Sequence, residues 1–159
     1  MSSAKKDIRT LTLDELVAFF EANGEKKFRA KQVMEWLWKK SATSFDQMNN
    51  VGKGVTNLLS EHFELKTIKL ADQQISSDRT IKSAFEVDPD KVVEGVLIPT
   101  TNRMTACISS QVGCSLACKF CATGRLKMMR NLTAGEIYDQ VVHLRNEAQN
   151  RYQIPLSNI

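Results

Sequence analysis

Chemistry concentrates in one short stretch of this sequence. All four cysteines lie between Cys107 and Cys121, and three of them, Cys114, Cys118 and Cys121, have three and then two residues between them, with Gly113 and Gly124 bracketing the run. Thiols this close in sequence, in a chain whose start lacks the apolar core of a secretory signal, are read first as a metal or catalytic site and not as a disulfide framework. Two metal centres compete. A closed zinc site takes four Cys or His ligands, and neither His62 nor His143 stands at a finger-like spacing from the run. A [4Fe-4S] cluster held by three thiolates instead keeps one iron without a protein ligand, open to a small molecule.

The elements that must position these thiols can be read outward from them. Residues 111–132 lack periodicity and form a loop. Before it, a strand is expected over 103–110, with Cys107 on the face of Thr105 and Ser109 and with Met104, Ala106 and Ile108 on the other. That puts the thiol on the more polar face, although a buried cysteine acting as a small apolar residue is the competing reading. After the loop, Thr133 and Glu136 form a capping box ahead of Ile137, Val141, Leu144 and Ala148, which predicts a long helix. Strand, functional loop and helix make the first βα unit of a parallel barrel, where chemistry sits at the carboxyl ends of the strands.

Further upstream, β-branched runs separated by turn signals at Ser77-Asp78 and Asp88-Pro89-Asp90 predict strands over 67–75, 80–87 and 91–98 in an antiparallel meander closed by Pro99. In the third of them Glu94 shares a face with Val92, Val96 and Ile98. A carboxylate among apolar side chains is suited to accepting a proton, whereas an edge glutamate reaching solvent has no such role. Residues 1–65 read differently. A capping box at Thr12 and Glu15 starts a helix carrying Leu13, Leu16, Val17 and Phe20 and stopping at Asn23-Gly24. A second helix from about Phe28 carries Val33, Met34, Trp36 and Leu37 inward, and a third over 53–63 carries Val55, Leu58, Leu59 and Phe63.

The expected class is therefore α+β: a helical lobe over 1–65, a β linker or meander over 66–100, and the start of a barrel core over 101–159. Its 159 residues, 42% of them apolar, are enough for one domain or two small lobes. No run reaches the roughly 20 apolar residues of a membrane span, and a cytoplasmic location is expected. The net charge of +4 permits a polyanionic partner without requiring one. Lys26, Lys27, Arg29, Lys31, Lys39 and Lys40 are placed to approach phosphates or simply to form a solvated face.

The cysteine spacing, with Phe120 directly before the last cysteine, resembles the signature of the radical S-adenosylmethionine superfamily. Around it, Thr105-Ala-Cys107-Ile-Ser-Ser-Gln-Val-Gly-Cys114, Cys121-Ala-Thr-Gly124 and Arg130-Asn-Leu-Thr133, together with Phe28-Arg-Ala-Lys-Gln32 and Trp36, resemble the adenine-C2 RNA methyltransferases. The resemblance covers essentially the whole chain. It implies that Cys114, Cys118 and Cys121 hold a [4Fe-4S] cluster that binds S-adenosyl-L-methionine, and that Cys107 is a resolving thiol that releases the product from a covalent RNA intermediate. It further implies that Glu94 is the proton acceptor, that the substrates are 23S rRNA and tRNA, and that the enzyme is a monomer served by an electron donor protein.

That family is roughly twice as long as this chain, and its methyl-carrying cysteine lies in the part with no counterpart here. No fifth cysteine is present. The barrel is accordingly expected to be incomplete, with unpaired strand edges, and the chain inactive by itself. Two alternatives remain open at this level: a zinc-thiolate module that binds RNA without catalysis, and a radical enzyme of another branch.

Overall fold

The structure is a computed structural model that describes residues 5–101, 103–116 and 118–159. They fall into two compact units, 1–66 and 67–159. In the first, β1 (Lys6–Asp7) leads through a single 3-10 turn into α1 (Leu13–Ala22), α2 (Phe28–Trp38), α3 (Lys53–His62) and β2 (Phe63–Glu64). The capping box of α1 is formed on both sides, since the Glu15 N–H donates to the Thr12 hydroxyl at 3.2 Å and the Thr12 N–H to the Glu15 carboxylate at 2.7 Å. Gly24 ends the turn after α1 at φ +74, a conformation glycine adopts without penalty.

Ile8, Leu16, Phe20, Val33, Leu37, Met48 and Leu59 close over one another as a core, with Trp36 and Trp38 packed at its border. Each fully buried side chain of this size stabilises the unit by about 1.5–3 kcal/mol. Phe63, expected as the last inward residue of α3, instead lies in a two-residue strand that pairs parallel with β1, Lys6 opposite Phe63 and Asp7 opposite Glu64. So short a strand carries no alternation to read. The Arg9 guanidinium bonds the Lys66 carbonyl and lies near Asp7, fastening the two ends of the unit.

The second unit is built on an antiparallel sheet, β3 (Lys69–Ile75), β4 (Ile81–Asp88), β5 (Lys91–Pro99) and β6 (Met104–Cys107), in that order. The boundary expected at residue 100 is not one: β6 pairs with β5 from Val96 opposite Cys107 to Pro99 opposite Met104, so the meander and the start of the core share one sheet. One face carries Ile81, Phe85, Val93, Leu97, Met104 and Ala106 against Leu144 of α4 (Ala134–Glu147) and Ala148 just after it. Gly95 lies on that face. A Cβ there would stand 2.9 Å from the Phe85 ring and 3.3 Å from Leu144, so glycine lets helix and sheet approach.

The other edge of β6 meets the last residues of the chain in parallel, at a bridge between Thr105 and Asn158. The Ala106 N–H donates to the Asn158 carbonyl at 3.0 Å and the Ser157 N–H to the Met104 carbonyl at 2.9 Å. Strand, loop, helix and returning extended segment are thus in place as a βαβ arrangement. Among the described residues, no helix is long and apolar enough to cross a membrane.

Candidate active site and cysteine loop

The loop that carries Cys114, Cys118 and Cys121 is closed at its base. β7 (Gln111–Val112) and β8 (Arg130–Asn131) pair antiparallel, Gln111 opposite Asn131 and Val112 opposite Arg130. The Met129 N–H donates to the Val112 carbonyl at 2.9 Å and the Leu132 N–H to the Ser110 carbonyl at 2.9 Å, extending the clasp on both sides. Gly113, the first residue beyond it, has φ +76, and a Cβ there would fall 2.2 Å from the Lys127 carbonyl oxygen. Only glycine fits between the two limbs. The clasp was not legible because each strand is two residues long and flanked by aperiodic sequence.

Arg130 locks this base. Its guanidinium donates to Asp88 at 2.8 and 2.9 Å and to both carboxylate oxygens of Glu136 at 2.7 and 2.9 Å. Glu136 also accepts from the Thr133 N–H at 2.7 Å and completes the capping box of α4. The Arg130 hydrogen bond holds the Asp88 carboxyl below the usual carboxylate range. Burial works against ionisation of Glu136, but the bonds from Arg130 and Thr133 together still hold its carboxyl low. The Arg130 pKa is raised, first by the bond to Glu136, so the clasp is fully charged at neutral pH. On the inner face, burial pushes the His143 imidazole below its ordinary value where its ring meets Phe85 edge-on at 5.1 Å.

A cleft of about 570 Å³ opens between the sheet and the loop, lined among others by Val92, Glu94, Val96, Cys107, Ser109, Gly113, Ala122 and Leu126. It brings Cys107 and Glu94 together with residues next to Cys114 and Cys121, although none of the three loop cysteines lines it. Cys107 is exposed, on the open side of β6, while Met104 and Ala106 turn inward. Glu94 differs from expectation. It does share its face with Val92, Val96 and Ile98, but that face is the open one: Val92 is 48% and Ile98 38% exposed. The carboxylate is exposed as well and pairs with the Lys82 ammonium at 3.1 Å. Alternation fixes which residues share a face of a strand, not which face is covered.

All four cysteines are free, and Cys114, Cys118 and Cys121 are half-buried. The Leu116 N–H points to the Cys114 sulfur at 3.5 Å, and the Cys121 N–H donates to the Cys118 carbonyl at 3.2 Å. As a donor set, three unoxidised thiols on one closed loop fit a thiolate-bound metal or cluster. Their sulfurs are not drawn to a common point, since among the described residues no group of three His, Cys, Asp or Glu side chains is arranged to hold a metal. Large apolar side chains stand out beside them, with Leu116 77% and Phe120 93% exposed.

One buried polar residue escaped the sequence reading. Gln140 lies within the apolar stripe of α4 with no exposed surface. Its signal is an uncharged polar side chain one position before Val141, on the face that Ile137 and Leu144 also occupy.

The family model described as the ribosomal RNA large subunit methyltransferase N-terminal domain matches residues 6–65. A probable dual-specificity RNA methyltransferase RlmN from Cytophaga hutchinsonii is 55% identical over 98% of this chain and 42% of its own length. The dual-specificity RNA methyltransferase RlmN of Geobacter sulfurreducens is 40% identical over 96% of this chain and 41% of its own. The crystal structure of a radical SAM methyltransferase from Sphaerobacter thermophilus superposes with a TM-score of 0.80 at 34% identity, covering 97% of this chain and 45% of that one. The chain spans less than half the length of each of these relatives. Over the length it spans, it is similar throughout to the dual-specificity RNA methyltransferases, and residues 6–65 match an amino-terminal domain of that kind.

Proposed function

We propose that this chain forms the amino-terminal part of an enzyme that methylates carbon 2 of adenosine in 23S rRNA and tRNA, using S-adenosyl-L-methionine. The observation that carries the reading is the cleft in which Cys107 and Glu94 face both ends of the cysteine loop. Cys114, Cys118 and Cys121 would hold a [4Fe-4S] cluster, which when bound supplies the electron that turns S-adenosyl-L-methionine into a carbon radical. The methyl-carrying cysteine and the rest of the cofactor surface would come from beyond the length matched here, and an electron donor protein would serve the enzyme. The cytoplasm is the compartment consistent with three free, redox-competent thiols on one loop.

The residues of this chain then act at the end of the reaction, when RNA is joined through a methylene group to the carrier sulfur. The Cys107 thiolate attacks that sulfur and a sulfur–sulfur bond forms. The carbon–sulfur bond breaks, its electron pair passes to the methylene carbon, and a proton completes the methyl group. Carbon is reduced as the two sulfurs are oxidised to a disulfide. Glu94 accepts the proton removed from carbon 2, leaving its surface pair with Lys82 to do so. The helical lobe, with Lys26, Lys27, Arg29, Lys31, Lys39 and Lys40, contributes phosphate contacts that hold structured RNA while the base is unstacked.

The test uses an enzyme of the relatives' full length with Cys107→Ala. A covalent enzyme–RNA species should accumulate and methylated adenosine should fall to a trace; undiminished turnover with no such species would remove Cys107 from the mechanism. Tightly bound zinc in place of iron and sulfide would turn the assignment to a non-catalytic RNA-binding module.

A further inference from the structure

We propose that Gln140 is a positioning residue that fixes the Cys107 thiol at the cleft by clamping Ser109; this rests on the role given to Cys107 above. Gln140 has no exposed surface, and a buried amide is costly to leave without partners. Its partners are specific. The Gln140 side-chain oxygen accepts the Ser109 N–H at 2.9 Å, and its side-chain nitrogen donates to the Ser109 carbonyl at 3.0 Å and to the Glu136 carbonyl at 3.2 Å. Two bonds to one residue's backbone N–H and C=O are what a neighbouring strand would provide.

A substitute for a strand is needed at this point. The last pair of β6 with β5 is Cys107 opposite Val96, and β7 starts at Gln111, so Ser109 is the middle of a connection that no sheet holds. The Ser109 hydroxyl donates in turn to the Glu94 carbonyl at 2.8 Å. Through one serine, a side chain on the helix after the cysteine loop therefore fixes the end of β6 with its thiol, the Glu94 segment of β5 and the entry to the loop. Gln140 touches neither reacting group. Its influence is geometric, and a displacement of about 1 Å at a reacting atom costs about 100-fold in rate.

In an enzyme of the relatives' full length, Gln140→Met fills the same volume and removes all three bonds. The expected result is a turnover lowered by about 10- to 100-fold, with cluster content and the KM for RNA unchanged and the covalent enzyme–RNA species accumulating as in Cys107→Ala. Gln140→Glu adds a second readout, because a protonated carboxyl offers one donor and one acceptor as the amide does. Release of RNA should therefore recover as pH is lowered in that variant and not in the unaltered enzyme. If neither variant accumulates the covalent species while Cys107→Ala does, the clamp is overturned and the role of Cys107 stands. If Cys107→Ala accumulates nothing, the role of Cys107 fails, and the clamp is decided on the 159-residue chain by alkylation of Cys107 followed by peptide mass spectrometry. A change of about threefold or more in Gln140→Met upholds it, since thiol reactivity follows local environment, and an unchanged rate overturns it.

Discussion

The two units of this chain handle apolar surface in opposite ways. In residues 1–66 three helices of ten or eleven residues turn their stripes onto one another, and of the large apolar side chains described there only Phe28 is substantially exposed. In residues 67–159 one face of the sheet is covered by α4, while Val92 and Ile98 on the open face and Leu116, Phe120, Leu126, Met128 and Met129 in the cysteine loop remain exposed. The first unit completes a core; the second completes half of one and places Cys107 and Glu94 on the other half. Residues proposed to do chemistry are thus held by a finished layer beneath them and face an unfinished one.

The largest effect is expected in the first unit. Phe20→Ala removes a fully buried ring and should cost that unit about 3–5 kcal/mol, enough to unfold a lobe of this size. Trp36 and Trp38, the only tryptophans, both lie in it, so fluorescence reports this unit alone. Amides of β4 and β5 should keep their hydrogen-exchange protection; their loss alongside the fluorescence change would show that the units are not separately stabilised.

Gly113→Ala attacks the second unit at the loop. The added methyl group meets the Lys127 carbonyl, and a positive φ disfavours alanine, together costing about 1–3 kcal/mol. Faster exchange of the Val112 and Met129 amides, with β4 and β5 unaffected, is the expected pattern. Equal loosening throughout would mean that the loop is not an appendage clasped at its base.

Acid should separate the same parts more gently. Asp88, Glu136 and His143 all have depressed folded values, so each contributes stability above its unfolded pKa that is lost as pH falls through the lower folded one. The His143 contribution begins to fall below about pH 6.5 and the carboxylate contributions below about pH 4. Exchange at the β7 and β8 clasp should therefore accelerate in acid before the Trp fluorescence of the first unit changes. Lys82→Ala should have the smallest effect, under about 1 kcal/mol in urea unfolding, because its pair with Glu94 is exposed. A larger loss would mean that Glu94 is structurally held and not available at the cleft.

Much of this organisation was legible in the residues because it is written in local patterns. Both capping boxes, at Thr12 with Glu15 and at Thr133 with Glu136, and the turn at Gly24 depend on neighbours in sequence, and they appear where the pattern places them. The sharing of a face by Cys107 and Thr105 follows from alternation alone, whereas the strand expected to run to Ser110 ends at Cys107. What escaped depends on partners outside the local pattern. The join of β6 to the meander, the parallel pairing of β1 with β2, and the ion pair of Arg130 with Asp88 connect residues that no local pattern links. The exposure of Glu94 escaped for a related reason, since the helix that covers the sheet chooses the opposite face.

We propose that Cys114, Cys118 and Cys121 form a cluster site of which Cys107 is not a ligand. This is tested most directly by anaerobic iron-sulfur reconstitution of an enzyme of the relatives' full length, followed by iron and sulfide analysis of single Cys→Ala variants. About four irons and four sulfides per chain are expected, lost when any of the three loop cysteines is replaced and retained in Cys107→Ala. Iron that survives removal of a loop cysteine but vanishes with Cys107 would contradict that assignment.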